Sequence, residues 1–196
     1  MLKGISEAQM TAHSLGIPFH FFLEKDPAKA IVSFANSVNA GAVFTDFDPL
    51  KIKLKWKHEA ALSLRCPFYE VDAHNIIPAR FISQKTEFAA YTLRPKVHRL
   101  LPEFMTAFPI ITPMKSKATL PDVFDVQNIL KKVKVRKDVQ PVSTFTPGTS
   151  AALQHLNAFI KQKLDHYHVK RNDPNAGYVS DMSPWLHFGN ISAQTI

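Results

Sequence analysis

Cys66 is the only cysteine among the 196 residues, so no disulfide can form within the chain. A reducing intracellular setting, cytoplasmic or nuclear, is the simpler expectation. No apolar run approaches the roughly 20 residues that a membrane-spanning helix needs. The opening Met1-Leu2-Lys3-Gly4-Ile5 lacks a charged leader followed by an apolar core, which argues against a signal peptide. There is no internal repeat, no low-complexity tract and no glycine-rich phosphate loop. What is present is an apolar content of 45%, enough for a folded core, and a formal net charge of +8 with a pI near 9.6. A basic excess attracts polyanions through counterion release, which permits a DNA partner without establishing one.

Helix-like and strand-like segments alternate over residues 5–105. Residues 5–15 read as an amphipathic helix closed by Gly16, and 18–23 (PFHFFL) as a short aromatic strand. Asp26-Pro27 is a good cap and first turn for a helix over 26–38, with Ala30, Ile31, Phe34 and Val38 on one face. Residues 42–47 (AVFTDF) and 67–71 (PFYEV) read as strands. Between them, 51–57 (KIKLKWK) alternates like a strand, but the crossover that two parallel strands need favours helix for most of the segment. The fold class is therefore α/β: an open, mostly parallel sheet with helices on both faces. The series opens on a helix with no strand before it. The first strand is expected to be missing, with Met1 internal to a longer protein.

Residues 86–105 read as helix interrupted at Pro95 and Pro102. The proline-rich 109–147 reads as an interdomain linker on the surface. Its run 131–137 (KKVKVRK) presents one charged face and one docked apolar face. A strong helix follows over 148–167, with Leu153, Leu156, Ile160 and Leu164 as its stripe. The domains are accordingly 1–108 (α/β), 109–147 (linker) and 148–196 (the beginning of a helical domain).

Several polar residues invite functional readings. Asp46, Asp48 and Asp72 fall at the C-terminal ends of predicted parallel strands, where open α/β sheets bind ligands. Capping of the next helix is the plainer role, above all for Asp48 before Pro49. Asp72 with His74 lacks a third partner and reads as structural. His166 and His168 are spaced for a strand rather than one helical face, so no metal site is expected. Trp56 and Trp185 read as packing aromatics. Residues 179–184 (VSDMSP) place small hydroxyls and amides before a helix start at Pro184. Such a turn can bind phosphate, and Ser183-Pro184 is equally an ordinary cap.

The chain carries longer motifs as well. Arg171-Asn172-Asp173-Pro174 precedes 179–189 (VSDMSPWLHFG), and 186–194 has the form LHFG-x-IS-A-Q. Upstream, 45–50 (TDFDPL) is similar to a TDF-S-PLR element with Asp48 for Ser and Lys51 for Arg. Residues 71–78 (VDAHNIIP) are similar to VDAHNIVP, and 92–96 (TLRPK) to T-I-RPK. Together these span nearly the whole chain and resemble the class II DNA photolyases, which repair cyclobutane pyrimidine dimers.

The resemblance implies a fragment, truncated at both ends, of a light-driven flavoenzyme acting on UV-damaged DNA as a monomer, with no membrane partner. It implies an antenna-type α/β domain that holds deazaflavin or folate in some relatives, followed by the start of an FAD-binding domain. Carried over by position, Tyr167 looks like the tyrosine on the flavin's phosphate-ribose portion, and Val179, Ser180, Asp181, Met182 and Ser183 like the diphosphate-binding run. Asp181 departs from the family's usual Asn or Arg and sets a carboxylate beside two phosphates, unless it turns outward or pairs with Arg171. No catalytic residue is expected within these residues, and the fragment alone is expected to be inactive. Two other readings share parts of the pattern: a cryptochrome-like photosensory protein, and a free-standing nucleotide- or chromophore-binding module.

Overall fold

The computed structural model describes residues 1–115, 119–136 and 138–196. The elements run α1 (Leu2–Ser14), α2 (Pro27–Ser37), β1 (Val43–Asp46), α3 (Lys51–Ser63), β2 (Phe68–Val71), α4 (Ala79–Ile82), α5 (Ala90–Phe104), α6 (Val126–Lys132), α7 (Thr149–Gln162), α8 (Leu164–Lys170) and α9 (Ser183–His187). They form two compact units, Phe22–Pro109 and Met1–Phe21 with Ile110–Ile196.

The 22–109 unit is built on a β-α-β crossover. β1 and β2 pair in parallel, in register from Val43 with Phe68 to Asp46 with Val71. A parallel pair cannot be closed by a tight turn, so the intervening residues must cross over. That demand decides the ambiguous 51–57 segment: the whole of Lys51–Ser63 is helix. Asp26 caps α2 by accepting the Lys29 N–H at 3.1 Å, with Pro27 in the first turn. The buried positions of α2 are Ala28 and Ala35, whereas Ile31 and Val38 of the expected face are 40% and 55% exposed. Small side chains explain the shift. Ala28 and Ala35 are buried like Ala60 of α3, the helix against which α2 packs, and short side chains let the two backbones approach.

The prolines of α5 do not break it. Pro95 and Pro102 both lie inside one continuous helix. Each removes an N–H that would have bonded four residues back, at Tyr91 and His98. Both of those residues are exposed and α5 buries none of its residues, so water can satisfy the freed carbonyls. Before α5, Ser83 donates to Glu87 at 2.7 Å, and Lys96 donates to Ser83 at 3.1 Å and to Glu87.

The other unit is held by polar side chains that reach far along the sequence. Gln9, 1% exposed, donates to the carbonyls of Phe19 at 3.2 Å and Asp122 at 3.1 Å, and accepts the Phe124 N–H at 3.1 Å. Phe21 stacks on Phe124 at 4.3 Å. These contacts account for a correction: residues 18–23 are not a strand. The Phe19 carbonyl is taken by a side chain instead of a ladder. Within 109–147, Asp125 caps α6 by accepting the Gln127 N–H at 2.8 Å, so this stretch is not wholly irregular. Of the basic run, Lys131 and Lys132 end α6, and Val135 is 57% exposed rather than docked; Lys137, like 116–118, lies outside the described residues.

The long helix expected over 148–167 is two helices, divided at Lys163 (φ −128°, ψ −24°). Its buried face is Ala152 and Leu156, while Leu153, Ile160 and Leu164 are 38%, 44% and 46% exposed. Ala152, Leu156, Met182, Trp185 and Ile191 form the core, with Phe145 against it. The α7 N-terminus has no cap of its own, because Gly148 stands there at φ +112°. Glu7 of α1 supplies one, accepting from Ser150 N at 2.9 Å and Ser150 Oγ at 2.7 Å. A Cβ at Gly148 would lie 1.8 Å from Glu7 Oε2 and push the carboxylate off its cap, and the φ of +112° would strain any side chain there.

Two predictions follow from these contacts. Glu7→Ala removes the cap and should lower the unfolding free energy by about 1 kcal/mol, with Glu7→Gln retaining most of it. Unchanged denaturation midpoints in both would contradict the capping role. Hydrogen bonds from Lys96, Ser83 and Thr92 hold the Glu87 carboxyl down from 4.5 to about 2. A depressed folded-state pKa means a stabilising contribution present above pH 4.5 and lost as pH falls through about 2. Carbon-detected NMR titration should give a Glu87 midpoint near 2, moving up in Lys96→Met; an ordinary midpoint in the unmodified chain would refute the clamp.

Candidate functional site

The 171–183 segment leaves α8 through a chain of local turns. Asp173 accepts the Asn175 N–H at 2.9 Å, and Gly177 takes φ +66°. Upstream, the Tyr167 ring meets Phe159 edge-on at 5.5 Å and lies under the Arg171 guanidinium at 5.8 Å. Tyr178 is covered by Lys170 at 4.3 Å.

From Val179 onward the chain alternates between outward and inward contacts. Val179 and Asp181 are exposed, Ser180 is half-buried, and Met182 is 2% exposed within the core. The Ser180 carbonyl accepts from His155 Nε2 of α7 at 2.9 Å, which fixes this ring's tautomer as Nε2–H. Asp181 has φ +54°, a left-handed conformation that costs a non-glycine residue about 1 kcal/mol. The expected Ser183 cap is not formed. The capping position is Met182, no side chain bonds there, and Ser183 and Pro184 already lie inside α9. The hydrogen bond that holds α9 comes from Trp185, whose Nε1–H donates to the Thr146 carbonyl at 2.8 Å. Its ring packs edge-on against Phe145 at 5.3 Å and beside His155 at 4.8 Å.

The structure thus joins 179–183 to α7 as one packed piece. Tyr167 makes its ring contacts with Phe159 and Arg171 instead. Asp181 faces solvent, and among the described residues no ion pair joins it to Arg171. Two serine hydroxyls and the backbone of a left-handed turn can donate to an anion here, and the Asp181 carboxylate opposes one. By sequence, His155 has no role beyond standing upstream of the Asp165, His166 and His168 cluster, where no metal is expected. Its partner lies 25 residues away, and a lone histidine inside a helix carries no spacing rule.

A second feature lies in the 22–109 unit, at the C-terminal end of β1. An open cleft of about 590 Å³ is lined by Ile31, Phe44, Thr45, Lys53, Trp56 and His74 among others, with Asp46 and Asp48 at its edge. Trp56 lines the cleft, with Lys53 over its ring at 5.7 Å. The His74 ring lies 3.9 Å from the Asp46 carboxylate, while Asp72 meets His74 only through its backbone N–H. Asp48 accepts the N–H of Leu50, the residue just before α3, at 3.0 Å. Asp72 organises the loop after β2, accepting from Asn75 N, Asn75 Nδ2 and Ala79 N at 3.1, 3.0 and 2.8 Å. Burial acts to raise its pKa, and the N–H groups of Ala79 and Asn75 outweigh it, holding the carboxyl below its ordinary value. The strand-end aspartates pointed toward this edge, but the cleft walls come from α2 and α3, which no local motif announces.

Among the described residues no three His, Cys, Asp or Glu side chains are grouped to hold a metal, and no helix is long and apolar enough to cross a membrane.

Comparison with known proteins identifies the family. The DNA photolyase family model matches residues 1–115. A deoxyribodipyrimidine photo-lyase from Potorous tridactylus is 37% identical over 99% of this chain and 37% of its own length. One from Arabidopsis thaliana is 35% identical over 99% and 41%, and one from Methanothermobacter thermautotrophicus 32% identical over 98% and 42%. The chain therefore spans about two-fifths of the curated relatives it matches. Among solved structures, a bacterial class III photolyase from Agrobacterium tumefaciens superposes with a TM-score of 0.68 at 18% identity, over 98% of this chain and 40% of that one. A cryptochrome from Synechocystis sp. PCC6803 superposes at 0.60, also at 18% identity, over 87% and 37%. With a family match over more than half of its residues, the chain belongs to the DNA photolyase family.

Proposed function

We propose that this chain is part of a class II deoxyribodipyrimidine photo-lyase, a light-driven enzyme that splits cyclobutane pyrimidine dimers in UV-damaged DNA. The observation that carries the reading is the 179–183 run, anchored to α7 and followed by the buried Trp185. Relatives named as photo-lyases at 32–37% identity support it, and the LHFG and VDAHN elements favour the class II branch over a cryptochrome-like protein. In this reading 1–108 is the antenna-type domain, although its residues 1–21 pack with 110–196, 109–147 is the linker, and 148–196 belongs to the FAD-binding domain of a monomeric intracellular protein.

The donor chemistry of the run fits a flavin diphosphate in part. The Ser180 and Ser183 hydroxyls, the Tyr167 hydroxyl and the backbone at Val179 and Asp181 would hold it. Met182, being buried, would contribute only its main chain. When bound, reduced FAD supplies the photochemistry, lending one electron to the dimer. The residues here bind and orient; the damaged bases leave the stack to react, as with other enzymes that act on a base. The cleft at the end of β1, with an apolar wall and Lys53 and His74 at its side, suits an antenna chromophore such as deazaflavin or folate.

The carboxylate of Asp181 is the unfavourable element. In the full-length protein, Asp181→Asn should tighten FAD by about tenfold, since it removes a like charge and keeps a residue tolerant of φ +54°. Equal or weaker flavin retention in the variant would contradict this. The 196-residue chain alone should neither co-purify with an equimolar flavin absorbance nor remove dimers under blue light. Light-dependent dimer loss, followed by antibody or by chromatography of the DNA, would overturn that expectation.

A further inference from the structure

We infer that His155 is a positioning residue for the flavin diphosphate, acting through the peptide plane between Ser180 and Asp181. The inference rests on the FAD reading of the 179–183 run given above. It concerns a residue outside that run and outside every motif that pointed to it.

The geometry is specific. His155 Nε2 lies 2.9 Å from the Ser180 carbonyl oxygen, and the carbonyl can only accept, so the ring donates. The same ring sits against Trp185 at 4.8 Å, and Trp185 is 4% exposed with its own Nε1–H on the Thr146 carbonyl. The donor is therefore held from two sides, by its helix and by a fixed indole. A trans peptide points its C=O and N–H in opposite directions. Drawing the Ser180 carbonyl toward α7 turns the Asp181 N–H away from α7, on the side where Asp181 itself is exposed. Met182 then returns to the core at 2% exposure. Between two inward anchors, the peptide has one orientation. It presents an N–H where a phosphate oxygen would accept it, and it fixes the left-handed φ of +54° at Asp181.

Substitutions separate the hydrogen bond from the packing. His155→Phe keeps a ring beside Trp185 and removes the donor. His155→Gln loses the ring and restores an N–H donor near the Nε2 position. Each variant of the 196-residue chain is checked for folding by near-UV circular dichroism. FAD is then titrated by fluorescence anisotropy into the flavin-stripped full-length protein carrying the same substitution. The expected result is that His155→Phe weakens FAD by about tenfold, the scale of one lost hydrogen bond, while His155→Gln stays near the unmodified protein. The reverse order, with Phe tolerated and Gln defective, overturns the inference in favour of simple packing. So does an unchanged FAD affinity in both variants. If the unmodified full-length protein binds no FAD, the FAD reading itself fails, and the role assigned to His155 goes with it.

Discussion

The closure of Trp185 and Met182 onto Ala152 of α7 is the contact on which the C-terminal part of the chain depends. Ala152 is 0% exposed, and any larger side chain there would hold the α9 segment away from the helix. With that contact made, Trp185 reaches the Thr146 carbonyl, Asn190 reaches the Gly148 N–H at 2.9 Å, and His155 reaches Ser180. Three polar tethers thus depend on one apolar seat. The seat is itself set by α7, whose first turn is completed by Glu7 from the far end of the sequence. Stability and local shape are the same structure here: a solvent-facing turn with a strained Asp181 persists because Ser180 is tied to His155 on one side and Met182 is buried on the other.

The 22–109 unit follows a different logic. A parallel pair of strands imposes a crossover, and the crossover helix packs its small Ala60 close to α2. The strand ends then open into a cleft between helices, edged by Asp46 and Asp48. Asp72 is withdrawn from that cleft by the amides of Asn75 and Ala79, so its charge serves the loop. One VDAHN element therefore does two things. Asp72 shapes the turn and His74 faces the cleft.

What the sequence disclosed depended on how local the cause was. The Asp26-Pro27 cap, the two strands and the helix at Leu2–Ser14 follow from neighbours a few residues apart, and they are where their residues imply. Segment 18–23 has strand composition and is not a strand, because Gln9 claims its carbonyl and Phe124 its ring. Ser183-Pro184 looks like a cap, but the helix begins one residue early, drawn in by buried Met182 and Trp185. Glu7 with Ser150, and His155 with Ser180, are separated by 143 and 25 residues, so no window of sequence could reveal them. The family motifs located the candidate run and include Met182 and Trp185, which seat it; Ala152 and His155, against which it is held, lie outside the motifs.

The most direct test of this account is a ¹⁵N-resolved NMR titration of the flavin-stripped full-length protein with FAD. The account predicts that chemical-shift changes concentrate at Val179, Ser180, Asp181 and Ser183 and extend to Tyr167. Changes confined to the cleft beside Trp56 and His74, or absent throughout, would contradict it.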